Sequence, residues 1–175
     1  MLKNAMLYQE QLKRKMWEIW YDPKYQYYYG GDQRWTPQMG ECDYDSRTVH
    51  RAFVSVDPED NVVGYIAFSW DSDLRMASSF GIMNFTDDIA IFGHDLKEAM
   101  TFIFETCQAN VLEFAVVRGN PIEKSYDRIA TKYGGRIVGI RTARARDMAG
   151  NLCDDKLYEI TREGYLAAKE RMKKK

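Results

Sequence analysis

A chain of 175 residues that is 45% hydrophobic and 29% charged reads as one globular domain with enough apolar material for a core, which excludes a disordered or fibrous polymer. Its 25 basic and 26 acidic side chains leave a formal net charge of −1, so binding of nucleic acid through bulk electrostatics is not expected. No apolar run reaches the length needed to cross a bilayer, so no membrane partner is expected either.

In chain order, Leu2 to Tyr21 predicts an amphipathic helix, because Ala5, Tyr8, Leu12, Met16, Ile19 and Trp20 recur at steps of three and four. Asp22-Pro23 ends it, since the residue before proline avoids the helical region. A loop follows, rich in tyrosine at Tyr25, Tyr27, Tyr28 and Tyr29 and carrying Trp35. Val49 to Val56 and Val62 to Trp70 read as strands of an antiparallel hairpin around the turn Asp57-Pro58-Glu59-Asp60-Asn61. Ser79 to Phe85 is a third strand, and Asp95 to Cys107 a helix with Leu96, Ala99, Met100, Ile103, Phe104 and Cys107 on one side.

The nearly continuous apolar run Val111 to Val117 predicts a central strand covered on both faces. Arg118-Gly119-Asn120-Pro121 turns into a helix that Gly134-Gly135 stops near Tyr133. Arg136 to Arg146 and Leu157 to Thr161 are the strands of a second hairpin. A last helix starts near Arg162 and runs into the basic tail, which is most simply a solvated helix end. Antiparallel hairpins flanking a strand–helix–strand unit give an α+β fold: a mixed, mostly antiparallel sheet of about six to seven strands with helices on both faces. The whole chain, 1–175, is one domain, divided into a helix and Tyr-rich loop (1–48), a core (49–161) and a helical tail (162–175).

Three widely spaced cysteines, Cys42, Cys107 and Cys153, and only two histidines, His50 and His94, give no CxxC and no zinc-binding spacing, so no metal is expected. With no apolar signal segment at the start, the expected setting is reduced and cytoplasmic.

Three stretches together resemble the GNAT superfamily of acyl-CoA-dependent N-acyltransferases, over roughly Val49 to Thr161. Asn61-Val62-Val63-Gly64-Tyr65-Ile66-Ala67-Phe68 is similar to the second strand of the family's early hairpin. Asn120, opening a helix that closes with Lys132-Tyr133-Gly134-Gly135-Arg136-Ile137-Val138-Gly139, is similar to its Asn–helix–KLGF–VG segment. Asp155-Lys156-Leu157-Tyr158-Glu159-Ile160-Thr161-Arg162-Glu163-Gly164-Tyr165 is similar to its closing strand. The resemblance implies that Ser79 to Phe85 and Val111 to Val117 are parallel neighbours that splay apart, with acetyl-CoA as co-substrate in the gap. It also implies transfer of the acetyl group to an amine-bearing acceptor by direct attack.

The family's phosphate loop reads Arg/Gln-x-x-Gly-x-Gly/Ala. The nearest match is Ala90-Ile91-Phe92-Gly93-His94-Asp95, where only Gly93 fits. By this resemblance Gly93, His94, Asp95, Leu96 and Lys97 supply the pyrophosphate site at a helix N-terminus, whose unpaired N–H groups and dipole suit an anion. Asp95 has a second reading as a helix N-cap, and its charge would repel a phosphate. Asn120 is implied for the pantetheine arm, with a helix cap as its other reading.

Acyl transfer to an amine requires removal of a proton from the amine, stabilisation of the developing oxyanion and protonation of the leaving thiolate. Tyr126, one residue short of the family's usual tyrosine, is the candidate acid; it also reads as an ordinary core or surface tyrosine. Glu113, a charge alternating with Leu112 and Phe114 in a central strand, is the candidate base if it faces the cleft, and a structural ion-pair partner otherwise. Asp71 and Asp73 read as turn residues or acceptor contacts. Arg141, Arg144 and Arg146 read as solvated edge charges or anion contacts, and the Tyr-rich loop as packing or as an acceptor wall. The alternative to an enzyme is a non-catalytic binding or interaction protein of the same fold that has lost the cofactor site. An exposed aromatic surface would permit a homodimer.

Overall fold

The computed structural model describes residues 1–19, 48–86, 89–147 and 149–174. The elements run β1 (Leu2–Asn4), a tight helical turn (Ala5–Tyr8), α1 (Gln9–Ile19), β2 (Thr48–Val56), β3 (Val62–Asp71), β4 (Met76–Asn84), α2 (Ile89–Thr101) continued by a π-type turn (Phe102–Thr106), β5 (Val111–Val117), α3 (Glu123–Lys132), β6 (Arg136–Arg146), β7 (Leu152–Thr161) and α4 (Arg162–Lys173). The strands form one seven-stranded sheet in the order β1-β2-β3-β4-β5-β7-β6. Every neighbouring pair is antiparallel except β4 and β5, which are parallel. This is the mixed α+β sheet expected from the sequence.

Two apolar clusters cover the two faces. On one face Phe92 and Met100 of α2, Ile103 of the π-type turn that continues it, Tyr126 and Ile129 of α3 and Tyr165 of α4 pack with Ile66, Phe68, Leu112, Phe114 and Ile160 of the sheet. On the other, Leu12 and Met16 of α1 pack with Val54, Tyr65, Ala67 and Met83. The alternation along β3 explains the split: Ile66 and Phe68 point one way, Tyr65 and Ala67 the other.

Several element ends differ from the sequence reading. The first residues are not helical: Leu2, Lys3 and Asn4 pair with Ser55, Val54 and Phe53, and the Asn4 side chain accepts from Met6 N–H to start the helical turn. β4 begins at Met76, because Asp71 closes a tight turn by accepting from the N–H groups of Asp73 and Leu74. β7 begins at Leu152, five residues before the predicted strand, held by pairing to β6. α2 begins at Ile89 rather than at Asp95. Burial of Phe92 extends the apolar stripe of Ala99, Met100 and Ile103 toward the N-terminus, and the helix runs through Gly93, which costs about 1 kcal/mol against alanine but does not break it.

Two glycines of the GNAT-like segments are fixed by close approach. A Cβ on Gly64 would lie 2.7 Å from the Phe92 ring. Gly134, with φ of +75°, ends α3, and a Cβ there would lie 2.2 Å from the Gly164 carbonyl oxygen at the start of α4. Gly134 and Gly164 let the end of α3 and the start of α4 touch backbone to backbone, with Tyr133 and Tyr165 stacked alongside at 6.2 Å. The Tyr133 hydroxyl is buried and finds no hydrogen-bond partner among the described residues; burial pushes its pKa up to about 12. Gly134→Ala therefore destabilises by roughly 3 kcal/mol or more, through both the clash and the left-handed backbone. Tyr133→Phe keeps the ring and removes an orphan hydroxyl, and raises stability by up to about 1 kcal/mol. Chemical denaturation of both variants measures these opposite signs.

Candidate active site

The site starts from a defect in the sheet. β4 and β5 pair only at Met76–Val111 and Ala77–Leu112; beyond these residues the two parallel strands share no further ladder pair. This is the splay expected between the third strand and the central strand. A strand that leaves its neighbour leaves backbone N–H and C=O groups on that side without sheet partners, and these need another one.

β4 is also bent where it departs. Its pairing with β3 slips between Ser69–Ser78 and Ala67–Gly81, so two β4 residues, Ser79 and Phe80, stand against Phe68 alone. Ser79 adopts φ of +52°, left-handed backbone at a non-glycine residue. Such a conformation costs about 1–3 kcal/mol and is kept only where the surroundings enforce it. A bulge of this kind re-aims the strand and its peptide groups. Neither Ser78 nor Ser79 was singled out in the sequence, because two serines in a strand carry no local signal of a bulge.

A cavity of about 370 Å³ opens at this fork, lined among others by Ser78 and Ser79 of β4, Glu113 of β5, Val138 and Arg141 of β6, and Glu159 of β7. Glu113 alternates with the buried Leu112 and Phe114, so it points away from the helices α2, α3 and α4 and is exposed on the cavity wall. Directly across the β5–β7 ladder stands Glu159. Like charges in this position destabilise a sheet. Arg136 offsets one of them, with its guanidinium 2.8 Å from Glu159.

Tyr126 lies on the other side of β5. It is 5% exposed, edge-on to Phe114 at 5.4 Å and to Tyr158 at 6.2 Å. The two candidate catalytic residues thus flank the strand from opposite faces, next to the fork.

Asn120 sits in the turn between β5 and α3, 7% exposed. Its Oδ1 accepts from Ile122 N–H at 3.0 Å, and its carbonyl accepts from Glu123 N–H. The side chain thus closes the turn ahead of α3, whose N-cap position is Ile122. Glu123 returns the interaction by accepting from Gly119 N–H at 3.1 Å, where φ of +87° suits glycine. The turn is tied to the sheet through Lys156 of β7, whose ammonium reaches Glu123 at 3.1 Å and Asp127 at 2.6 Å. Tyr158 O–H also donates to Asp127, at 2.8 Å. These contacts hold the Asp127 carboxyl below the usual aspartate range, chiefly through the Lys156 hydrogen bond, and raise the Lys156 ammonium above its own, through the same bond.

The phosphate loop expected at Gly93 to Lys97 is corrected by the position of α2. Because the helix begins at Ile89, Gly93, His94, Asp95, Leu96 and Lys97 lie within it, where backbone N–H groups belong to the helical ladder. The amides outside that ladder lie one turn earlier. Asp95 caps nothing. Its fully buried carboxylate accepts from Ser55 Oγ at 2.5 Å, lies 2.9 Å from the α-amino group of Met1 and 3.2 Å from His94 Nδ1. His94, Lys97 and Gly93 are exposed, and Leu96 is half-buried against the core.

Asp71 is the turn residue described above. Arg141 bridges to Asp155 at 3.1 Å and Arg146 donates to the Gly150 carbonyl. Arg144 is an exposed edge charge. His50 is a half-buried strand residue with Nε2 3.5 Å from the Tyr65 hydroxyl, its pKa lowered by burial. Tyr25, Tyr27, Tyr28, Tyr29, Trp35 and Cys42 lie outside the described residues. Among the described residues, no helix is long and apolar enough to cross a membrane.

The Asp127 contacts have a measurable consequence. Its folded pKa is below its unfolded one, so its stabilisation is complete above the ordinary carboxylate range and is lost as pH falls through the folded value. Thermal melts from pH 7 down to about pH 2 should show Asp127→Asn melting lower than the parent at neutral pH, with the gap closing as the pH falls. Glu105, lowered likewise by Lys169 and Tyr165, keeps part of the acid slope in the variant.

No protein-family model matches the chain, and no curated protein sequence matches it. Solved structures do. A protein described as a candidate acetyltransferase superposes with a TM-score of 0.69 at 18% identity, over 98% of this chain and 90% of that one. A variant of the spermidine N-acetyltransferase SpeG from Vibrio cholerae gives 0.59 at 20% identity, over 70% of each chain. The same enzyme solved with manganese ions gives 0.58 at 19% identity, over 71% of each chain. At these identities the likeness is one of architecture, and it agrees with the strand order, the parallel fork and the helices on both faces: the chain has a GNAT-like α+β fold.

Proposed function

We propose that the protein is an N-acetyltransferase that moves an acetyl group from acetyl-CoA to the amine of an acceptor by direct attack. The observation that carries this reading is the fork between β4 and β5, with its cavity and the bulge at Ser79. Acetyl-CoA supplies an activated acetyl thioester. The groups at the fork fit it. β4 beyond Ala77 has backbone groups that β5 leaves without ladder partners, suited to a carbonyl oxygen. Asn120, with Oδ1 engaged by Ile122, keeps its amide NH2 as a donor for the pantetheine arm.

In this reading the pyrophosphate is received at the first turn of α2, from Ile89 onward, with Lys97 as an exposed cation and His94 as an exposed imidazole on the following turns. Asp95 is no obstacle: its carboxylate is buried, and an amine and a hydroxyl face it. Glu113 receives the acceptor's ammonium on the cavity wall and takes its proton, directly or through water. Tyr126 holds a proton on its phenol oxygen for the leaving sulfur. The acceptor is amine-bearing; an exposed carboxylate at the fork and the spermidine N-acetyltransferases among the similar structures both support that.

Calorimetric titration with acetyl-CoA, with CoA as the control, tests the reading. The expected affinity is micromolar, and Asn120→Ala weakens it about 10-fold, the worth of one hydrogen bond. Glu113→Gln leaves that affinity within about twofold and lowers kcat/KM for primary amines, spermidine among them, by about 100-fold. Absence of heat at two temperatures would leave the fold as a non-catalytic binding module.

A further inference from the structure

Past the first turn of α2, His94, Asp95 and Glu98 bring an imidazole nitrogen and two carboxylates together, with one ligand atom from each within 4.8 Å of the others. The helix accounts for the grouping. His94 and Glu98 are four residues apart and share one face, and Asp95 follows His94 in the chain. His94 and Glu98 are exposed, as solvated helix residues are. Asp95 is different: its side chain is fully buried, and its two oxygens are engaged unequally. Ser55 Oγ and the Met1 α-amino group both meet Oδ2, at 2.5 Å and 2.9 Å. Oδ1 meets His94 Nδ1, at 3.2 Å, and no donor from outside the group. An imidazole that carries its proton on Nε2 offers no hydrogen at Nδ1, which leaves this buried oxygen without a donor. Glu98 adds a second negative charge and makes no ion pair among the described residues.

We propose that these three side chains form a site for one divalent transition-metal ion, with Zn²⁺ the best fit. The 3.2 Å between Nδ1 and Oδ1 is the separation of two donors that each lie about 2.1 Å from one ion and subtend about 100° at it. That angle falls between the tetrahedral and octahedral values. Glu98 supplies a third donor from the next turn by rotating an exposed side chain, and water completes the shell. A ligating imidazole selects Zn²⁺ over Mg²⁺, which prefers an all-oxygen shell. The ion takes the Nδ1 lone pair and satisfies Asp95 Oδ1 in the same step. Ser55 holds the carboxylate in position through its other oxygen, the part that a supporting group plays behind a metal ligand. The α-amino group on Oδ2 offsets one of the two carboxylate charges, so the expected dissociation constant is on the order of 10 µM rather than nanomolar. The site stands on α2 and Ser55 and does not depend on acetyl-CoA.

Calorimetric titration of the EDTA-treated, dialysed full chain with zinc chloride tests this, in a C42S/C107S/C153S background that removes thiol ligands. It should show one ion per chain, and Mg²⁺ at about 1 mM should not compete. His94→Ala and Glu98→Gln, both at exposed positions, should each weaken Zn²⁺ binding by at least about 10-fold. His50→Gln, at the other histidine, should leave it within about twofold. Proton–nitrogen correlation spectra of the imidazoles locate the ion independently: Zn²⁺ should shift Nδ1 of His94 and leave His50 unmoved. No binding up to about 1 mM Zn²⁺, an affinity unchanged in both variants, or Nε2 of His94 as the nitrogen that shifts would each overturn the proposal. None of these measurements involves acetyl-CoA, so their failure is distinct from failure of the acetyltransferase reading.

Discussion

Hydrogen bonds that two adjacent strands decline to make govern this molecule. Every other neighbouring pair in the sheet runs as a ladder of at least three residue pairs, but β4 and β5 stop after two. Unpaired peptide groups inside a sheet are unstable unless something else satisfies them. The bulge at Ser79 turns β4 away and concentrates that deficit at one place. The cavity, the Asn120 turn and the start of α2 border the deficit. The fold thus prepares a place for an extended polar ligand by withholding pairing from its own strands.

The polar groups around the fork are stiffened from behind. Lys156 is 14% exposed and is shared by Glu123 and Asp127, so β7 holds the first two turns of α3. Glu123 passes that restraint to Gly119, and through it to the turn that carries Asn120. On the other side of the fork, Asp95 ties α2 to β2 through Ser55. A buried carboxylate would be costly alone; with an amine and a hydroxyl facing it, it becomes a fixed joint between helix and sheet. The two elements bordering the fork, α2 and the Asn120 turn, are therefore each anchored by a charged residue with partners distant in sequence.

Much of the architecture was legible because it is written in local patterns. The hairpin of β2 and β3, the apolar run of β5, the stop at Gly134 and the order of the elements after β1 were read from spacing and turn chemistry. The splay of β4 from β5 came from the resemblance carried by Asn61 to Phe68, Asn120 and Asp155 to Tyr165. What failed was decided by distant partners. Asp95 looks like an N-cap because aspartate often is one, and nothing near it reveals that Ser55 lies 40 residues away in the hydrogen bond that buries it. The early start of α2 followed from burial of Phe92 against Gly64, a contact between separate elements. The bulge at Ser79 depends on the register of two neighbouring strands. Glu113 was readable as an outward charge by alternation alone, whereas the packing of Tyr126 between Phe114 and Tyr158 depends on tertiary stacking.

The fork also divides the sheet by sequence distance. On one side, β1 to β4 pair mostly with neighbours in the chain. On the other, β5 has no second partner until β7 arrives and inserts itself between β5 and β6. A chain made from its N-terminus can build the β2–β4 meander early, but it must wait for its last strand before β5 is enclosed. The two halves are then joined by only two residue pairs of ladder and by the shared core beneath α2. The seam where the sheet is last completed in folding is also the seam along which the cavity opens.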